Sequence, residues 1–365
     1  ERARQVVNDG MDVIGGKGIC LGPSNFMGRA YQQVPIGITV EGANILTRSL
    51  IIFGQGAIRC HPYLLAEMQA AQNPDVKKGL ANFDKALWGH IGFTIKNGCR
   101  ALWLGMTGSH FAAVNVETAP EMKRYYQQLT RFSAAFAFMA DISLLVLGGS
   151  VKRREKLSAR LGDILAQMYL ISCTLKRYED EGRKIEDAPL AHWAIWDSMY
   201  KAQQAFDGVI ANFPIRFIAA FLHRSIFPWG HPYVVPSDDL GHEVAKSLIQ
   251  PSATRDRLTA ECYLPKTEQE PIGAIELALL ATLEAEPIEA KIRAAEKAGR
   301  FDNNPRANVR DIAIVAAECG VITAAEFEVM KRRNALRDIV VHVDDFPFDF
   351  NVATANKPAE CRMAA

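Results

Sequence analysis

An all-α protein is what this sequence predicts, on two observations. Apolar residues recur three and four apart over long stretches, while alternating apolar–polar runs of the strand type are nearly absent. Between the stretches lie short clusters of Pro, Gly, Asp and Asn, such as QNPDVKK (72–78), FPWGHPYVVPSDD (227–239) and FDNNPRAN (301–308). Helices joined by polar connectors of that kind pack as antiparallel bundles.

The elements follow in chain order. ARQVVNDGMDVIG reads as a helix running into the glycine cluster IGGKGI (14–19). RSLIIFGQGAIRCHPYLLAEMQAA (48–71) is helical in spacing and broken near Gly54 and Gly56. NFDKALWGHIGFTIKNGCRALWLGM (82–106) carries an apolar stripe through Leu87, Ile91, Ile95, Leu102 and Leu104. The same periodicity predicts helices at about 120–148, 152–182, 188–212 and 214–225. SDDLGHEVAKSLI starts a helix after Ser237, whose hydroxyl suits an N-cap and whose following acids suit the helix dipole. PIGAIELALLATLEAEPIEAKIRAAEKAGR is one or two helices interrupted at Pro287, and DIVVHVDDF alone could pass as a strand.

Composition excludes several classes. The 365 residues are 49% hydrophobic and 23% charged, enough for two or three domains with substantial cores. Lys plus Arg (42) and Asp plus Glu (41) nearly cancel, so no global field draws in nucleic acid, and an anionic ligand must be held locally. Seven scattered cysteines, none in C-x-x-C spacing, argue for a reducing compartment and against a disulfide framework or zinc site. The eight histidines lack metal-ligand spacing, so no metal is expected. His61-Pro62-Tyr63 and His231-Pro232-Tyr233 repeat a tripeptide that reads as turns rather than paired ligands. GMTGSHF (105–111) has neither G-x-S-x-G nor a preceding strand, so a serine nucleophile is not expected there. No apolar run approaches a membrane span, and no signal peptide opens the chain. It starts ERARQVV without methionine, which fits the back part of a longer protein.

Two short stretches carry the candidate chemistry. In IGGKGI, Gly15, Gly16 and Gly18 allow a tight turn and expose backbone N–H groups. Such a turn serves either as a plain helix end or as a close approach to a phosphate or flavin. The pattern is not G-x-G-x-x-G after a strand, so a dinucleotide fingerprint fails. In GITVEGANILTR (37–48), Glu41 sits between a β-branched run and Gly42. Three readings are open for it: a solvated loop carboxylate, a first-turn residue favoured by the helix dipole, or a general base held in an apolar pocket.

The two stretches together resemble the C-terminal helical domain of acyl-CoA dehydrogenases, in which a Q-x-x-G-G-x-G-[YF] segment precedes [YF]-E-G-[TA] and a helix. The E-G-A-N-I-L form followed by arginine is most similar to the long-chain branch, especially the large bacterial fatty-acid β-oxidation enzyme. The likeness extends to the closing GVITAAEFEVMKRRNALRDIVVHVDDF. It implies that Glu41 is the base removing the α-proton of a medium- or long-chain acyl-CoA, that the β-hydrogen leaves as hydride to FAD, and that the product is a trans-2-enoyl-CoA. It implies further that the backbone N–H of Glu41 polarises the thioester carbonyl and that Gly42 leaves room for substrate. By the same resemblance Gly15, Gly16 and Gly18 approach FAD, often that of a neighbouring subunit, and Ala43 and Asn44 lie against it. An electron-transfer flavoprotein is the implied acceptor, and the chain is expected to form a homo-oligomer.

The sequence also departs from the family pattern. Asp12 stands where glutamine is usual, Tyr31-Gln32-Gln33-Val34-Pro35 replaces Y-R-D-A-R, and Val40 replaces the aromatic before the base. The family's flavin-covering β-domain would precede Glu1, so the chain alone is expected to be inactive. Residues 1–75 read as the last helices of the catalytic bundle, 80–285 as an appended helical domain, and 286–365 as a helical tail. NFPIRFIAAFLHRSIFPWG (212–230) mixes Phe and Trp with Arg216, His223 and Arg224, a composition that suits core or subunit contacts and also helices on a membrane interface. A cytoplasmic location, with possible peripheral contact at the inner membrane, follows as an expectation. The competing class is a non-catalytic helical module for dimerisation or membrane attachment.

Overall fold

The computed structural model describes residues 2–40, 42–43, 46–301 and 312–344. Among them there is no strand, and the all-α expectation holds. In chain order the helices are α1 (Arg2–Ile14), α2 (Met27–Gln33), the single turn α3 (Gly37–Val40), α4 (Thr47–Gln55), α5 (Gly56–Cys60), α6 (Leu64–Ala71), α7 (Val76–Met106) and α8 (Lys123–Leu147). They continue with α9 (Glu155–Asp180), α10 (Ala188–Ala211), α11 (Arg216–Ile226), α12 (Asp238–Ile249), α13 (Ala253–Thr259), α14 (Pro271–Lys297), α15 (Ile312–Glu318) and α16 (Ala324–Val341). The chain divides into two compact units, Gly37–Thr254 and a second made of Glu1–Ile36 with Arg255–Ala365.

In the Gly37–Thr254 unit the long helices α7 to α10 form the frame. α9 packs along α10, α8 lies against both α7 and α9, and α11 closes on α7 and α10. Their inward faces supply Met139, Leu161, Ile164, Ile171, Ile195, Met199 and Phe206, all almost wholly buried. Phe206 stacks on Phe132 at 5.8 Å and meets Phe227 edge-on at 6.0 Å, geometries that aromatic quadrupoles favour. The Pro-rich stretch after α11 is pinned inside this core. Gln203 donates from Nε2 to the Tyr233 carbonyl at 2.8 Å and accepts the Tyr233 amide at 3.1 Å. Helix starts follow local chemistry: Ser237 accepts the Leu240 amide before α12, as predicted, while Asp75 accepts the Lys78 amide and starts α7 at Val76, inside the QNPDVKK connector and ahead of the expected start at 82.

Contrary to the sequence expectation that no apolar run approaches a membrane span, the segment Lys123–Val151, made of α8 and the start of the turn after it, is long and apolar enough to cross a membrane by length and composition. It nevertheless buries Gln127, Arg131 and Asp141 with partners inside the protein. Arg131 donates to the Ile226 carbonyl at 3.0 Å and lies over the Phe227 ring. It is a core helix.

α4 is a π-helix, a rare form that often marks functional segments. It packs on α9 at very short range, where Gly162 faces the Arg48 carbonyl and the Ser158 hydroxyl donates to the Ser49 carbonyl at 2.6 Å. Arg48 also forms a two-pronged ion pair with Asp163.

In the other unit, α14 packs against α16, which also carries α15. Their shared core includes Ala285, Ile288, Ile292, Ala316 and Met330. Thr323 and Glu326 form a complete capping box at the start of α16. Two sequence expectations are corrected here. Pro287 does not interrupt its helix: α14 runs unbroken from Pro271 to Lys297, because packing of the flanking Ala285 and Ile288 outweighs one lost backbone bond. The described part of the DIVVHVDDF stretch, residues 338–344, is not a strand, since α16 continues to Val341 with Leu336 anchored in its buried face. Residues 345–365 lie outside the described residues.

A Cβ at position 162 would lie 2.9 Å from the Arg48 carbonyl oxygen, a backbone atom with little freedom to yield. Gly162→Ala is therefore expected to lose about 1–3 kcal/mol in urea unfolding. Gly241→Ala, on α12 with open space around it, should be neutral or stabilising by up to about 1 kcal/mol. Equal stability of the two variants would refute the close α4–α9 contact.

Candidate functional site

The glycine turn forms as a 3-10 turn, Gly15–Ile19, directly after α1. Gly15 has φ +69°, a conformation that costs a side-chain-bearing residue strain. Gly15 and Gly16 are exposed, and a Cβ at either would meet nothing within 4 Å, so their backbone can be approached by a flat ligand. Gly18 serves differently. It is buried against Met11, and its carbonyl accepts from Asn25 Nδ2 at 3.1 Å. Asn25, itself buried, also reaches the Lys17 carbonyl at 2.9 Å, and so holds the turn closed. The Ser24 amide donates to Asp344 Oδ1 at 3.0 Å, and Lys17 Nζ donates to the Val340 carbonyl. Beside the turn is a cleft of about 480 Å³ bordered by Lys17, Asn25, Phe26, Gln269 and Ile339.

The second predicted stretch belongs to the Gly37–Thr254 unit. Glu41 and Asn44 lie outside the described residues. Gly42 is half-buried at φ +82°, again a left-handed position that favours glycine. The Ala43 carbonyl accepts the amides of Leu46 and Thr47 at 3.0 Å each, opening the turn that leads into α4.

A third constellation arises only in three dimensions. Asp141, on the buried face of α8, accepts from His61 Nε2 at 2.9 Å through Oδ1 and from the Thr94 hydroxyl at 2.8 Å through Oδ2. His61 follows α5, and its Nδ1 accepts the amides of Tyr63 and Leu64 at 3.2 Å each. Those two donors place the ring proton on Nε2, where Asp141 receives it. His90, on α7, directs Nδ1 to Glu67 Oε1 at 2.9 Å and Nε2 toward Asp141 Oδ1 at 3.8 Å. The His61 and His90 rings lie 4.5 Å apart, and Tyr63 stacks on His90. Glu67, His90, Thr94 and Asp141 face a cleft of about 410 Å³, whose other walls include Leu87 and Ile91. It is an apolar cleft with a polar floor, the usual make-up of a small-ligand site.

A family model described as "Acyl-CoA dehydrogenase, C-terminal, bacterial type" matches residues 58–346. The chain belongs to that family. The match begins after the glycine turn and after Glu41, so neither of the two stretches lies within the matched region. The histidine–carboxylate constellation falls within the matched domain. No solved structure matches the chain.

In this acyl-CoA dehydrogenase domain two further polar groups are Tyr125 with His192, which joins α8 to α10, and Glu179, which holds Thr118 and Ala119 of the connector before α8. Burial pushes the Tyr125 hydroxyl up to about 12, and that hydroxyl meets His192 Nδ1 at 2.8 Å. Burial also lowers His192 below the ordinary imidazole value, against the opposing pull of Glu121 and Glu243. Burial pushes Glu179 up as well. Hydrogen bonds from Thr118, Arg183 and the Ala119 amide outweigh it and hold Glu179 below the usual carboxylate value.

Sequence reading missed His61, Glu67, His90, Thr94 and Asp141 as a group. The signal was available in FAFMADISLLVL (136–147), where Asp141 is a lone acid in an apolar helix, the same anomaly that singles out Glu41. Truncating Asp141 leaves His61 and Thr94 facing a void, so Asp141→Ala is expected to cost about 3 kcal/mol or more in urea unfolding. A double-mutant cycle with His61→Ala should return a coupling of about 1 kcal/mol or more, and a value near zero would show that their contact contributes nothing.

Proposed function

We propose that this chain is the C-terminal part of an FAD-dependent acyl-CoA dehydrogenase acting on medium- or long-chain acyl-CoA in fatty-acid β-oxidation. The observation that carries the reading is the order of parts along one chain. An open glycine turn at 15–18 and the Glu41-Gly42 pair stand directly ahead of a domain of this family.

In this reading Glu41 takes the α-proton of the acyl thioester. Its backbone N–H donates to the thioester carbonyl, which acidifies that proton. Preorganised donors of this kind contribute a few kcal/mol each, on the order of 3. Gly42, at φ +82°, turns the chain immediately after the base and leaves space for the substrate. Gly15 and Gly16 offer exposed backbone to the cofactor, while Gly18 keeps their turn in shape through Asn25. Ala43 and Asn44 would also lie against the cofactor. Bound FAD supplies the acceptor for the β-hydrogen, which leaves as hydride, and an electron-transfer flavoprotein then takes the electrons. Residues 1–75 belong to the catalytic bundle, with 80–285 and 286–365 appended to it, and a homo-oligomer brings the glycine turn to a neighbouring subunit's cofactor.

The test uses the full-length protein reconstituted with FAD. Acyl-CoA should bleach the flavin absorbance of the wild type, and Glu41→Gln should abolish bleaching while FAD stays bound. Unchanged bleaching in Glu41→Gln would remove this residue from the role. It would favour the competing reading, a helical module that retains the motifs without the chemistry.

A membrane-contacting role is supported by a separate observation. Phe217 and Trp229 are 82% and 77% exposed, beside the exposed Arg216 and Arg224, and no acid occurs between Asp207 and Asp238. We therefore also propose peripheral contact with an anionic bilayer through α11 and the turn after it. The protein should co-sediment with vesicles containing anionic phospholipid more than with zwitterionic ones, and Arg216→Glu with Arg224→Glu should remove the difference. Equal sedimentation of wild type and double variant would end this reading.

A further inference from the structure

We propose that the polar floor of the cleft between α6, α7 and α8 is a binding site for a divalent transition-metal ion of the zinc class, with His90 and Asp141 as its protein ligands. The Glu67 carboxylate can only accept, so at 2.9 Å it fixes the proton of His90 on Nδ1. That leaves Nε2 to face Asp141 Oδ1 across 3.8 Å, too far for a hydrogen bond. Two ligands of one tetrahedral ion with bonds of about 2.0–2.2 Å stand about 3.3–3.6 Å apart, so the pair needs to close by only a few tenths of an ångström around it.

The surroundings of the pair are those of a metal site rather than of a simple ion pair. A carboxylate behind a histidine, receiving its other ring N–H, is the outer partner that orients metal-binding histidines. Glu67 holds that position behind His90. Asp141 is buried and kept in one orientation by His61 and Thr94, so a ligand oxygen is held ready without reorganisation. His61 acts as an orienting donor and not as a ligand, even though its nitrogen lies with the other two ligand atoms inside a 4.8 Å cluster. Its Nδ1 is taken by the amides of Tyr63 and Leu64, and its Nε2 therefore keeps a proton. The cleft opens directly on His90 and Asp141, giving an ion a way in and leaving room for water to complete its shell. A mixed nitrogen and carboxylate donor set suits zinc, cobalt or nickel, whereas magnesium and calcium prefer oxygen alone. The ligands come from two helices, 51 positions apart in the chain (141 minus 90), so no spacing motif announces them.

The test takes the full chain, stripped with a chelator, and titrates it with zinc chloride by calorimetry, with cobalt(II) absorption as a probe of nitrogen coordination. One zinc per chain is expected. His90→Phe, which keeps an aromatic ring beside Tyr63, should weaken binding at least 100-fold. Glu67→Gln should weaken it about 10- to 100-fold, the usual effect of losing an outer partner. His231→Gln, which removes a histidine paired with Asp207 elsewhere, should bind as wild type does. The proposal is overturned if the stripped chain takes up no zinc, or if His90→Phe binds it as tightly as wild type. Should His90→Phe fail to fold, Glu67→Gln decides alone, and undiminished affinity in that variant overturns the proposal.

Discussion

The Gly37–Thr254 unit is organised around one buried carboxylate. Asp141 stands in the middle of an apolar helix, where an unpaired charge would cost several kcal/mol, on the order of the stability of a whole domain. The fold answers by bringing two other segments to it. His61 arrives from the end of α5 and Thr94 from α7, and Glu67 from α6 orients the neighbouring His90. Satisfying Asp141 thus fixes the turn between α5 and α6, the start of α6, and the register of α7 against α8. His61 contributes twice, since the nitrogen turned away from Asp141 caps the first amides of α6.

Much of the architecture was legible in the sequence because the long helices carry their own periodicity. The stripe through Leu87, Ile91 and Ile95 marks α7, and the cap residue Ser237 marks a true helix start, whereas the Asp75 cap inside the QNPDVKK connector went unread. Where sequence reading failed, tertiary packing overrode a local rule. Pro287 ought to end a helix, yet the buried side chains around it keep α14 whole. Val340 and Val341 have strand propensity, yet α16 carries them as its last turn. The wide turns of α4 left no mark in composition at all.

The candidate sites divide in the same way. Glycines that need positive φ, Gly15 and Gly42, are visible as glycines in the sequence, and the turn built on Asn25 explains why Gly18 is buried while its neighbours are open. The histidine–carboxylate group was invisible because its members lie far apart along the chain and no pair of them forms a known spacing. What the sequence did offer was a single acid where an aliphatic residue was due, a cue that asks for partners without naming them.

α8 has a consequence that reaches beyond the folded state. The most apolar 18-residue window within Lys123–Val151 has a mean hydropathy of 1.8. Arg131 and Asp141 sit ten residues apart within it (141 minus 131), each costing about 3 kcal/mol at the centre of a bilayer. The two charges that the native core accommodates would thus each oppose partitioning of the unfolded segment into lipid.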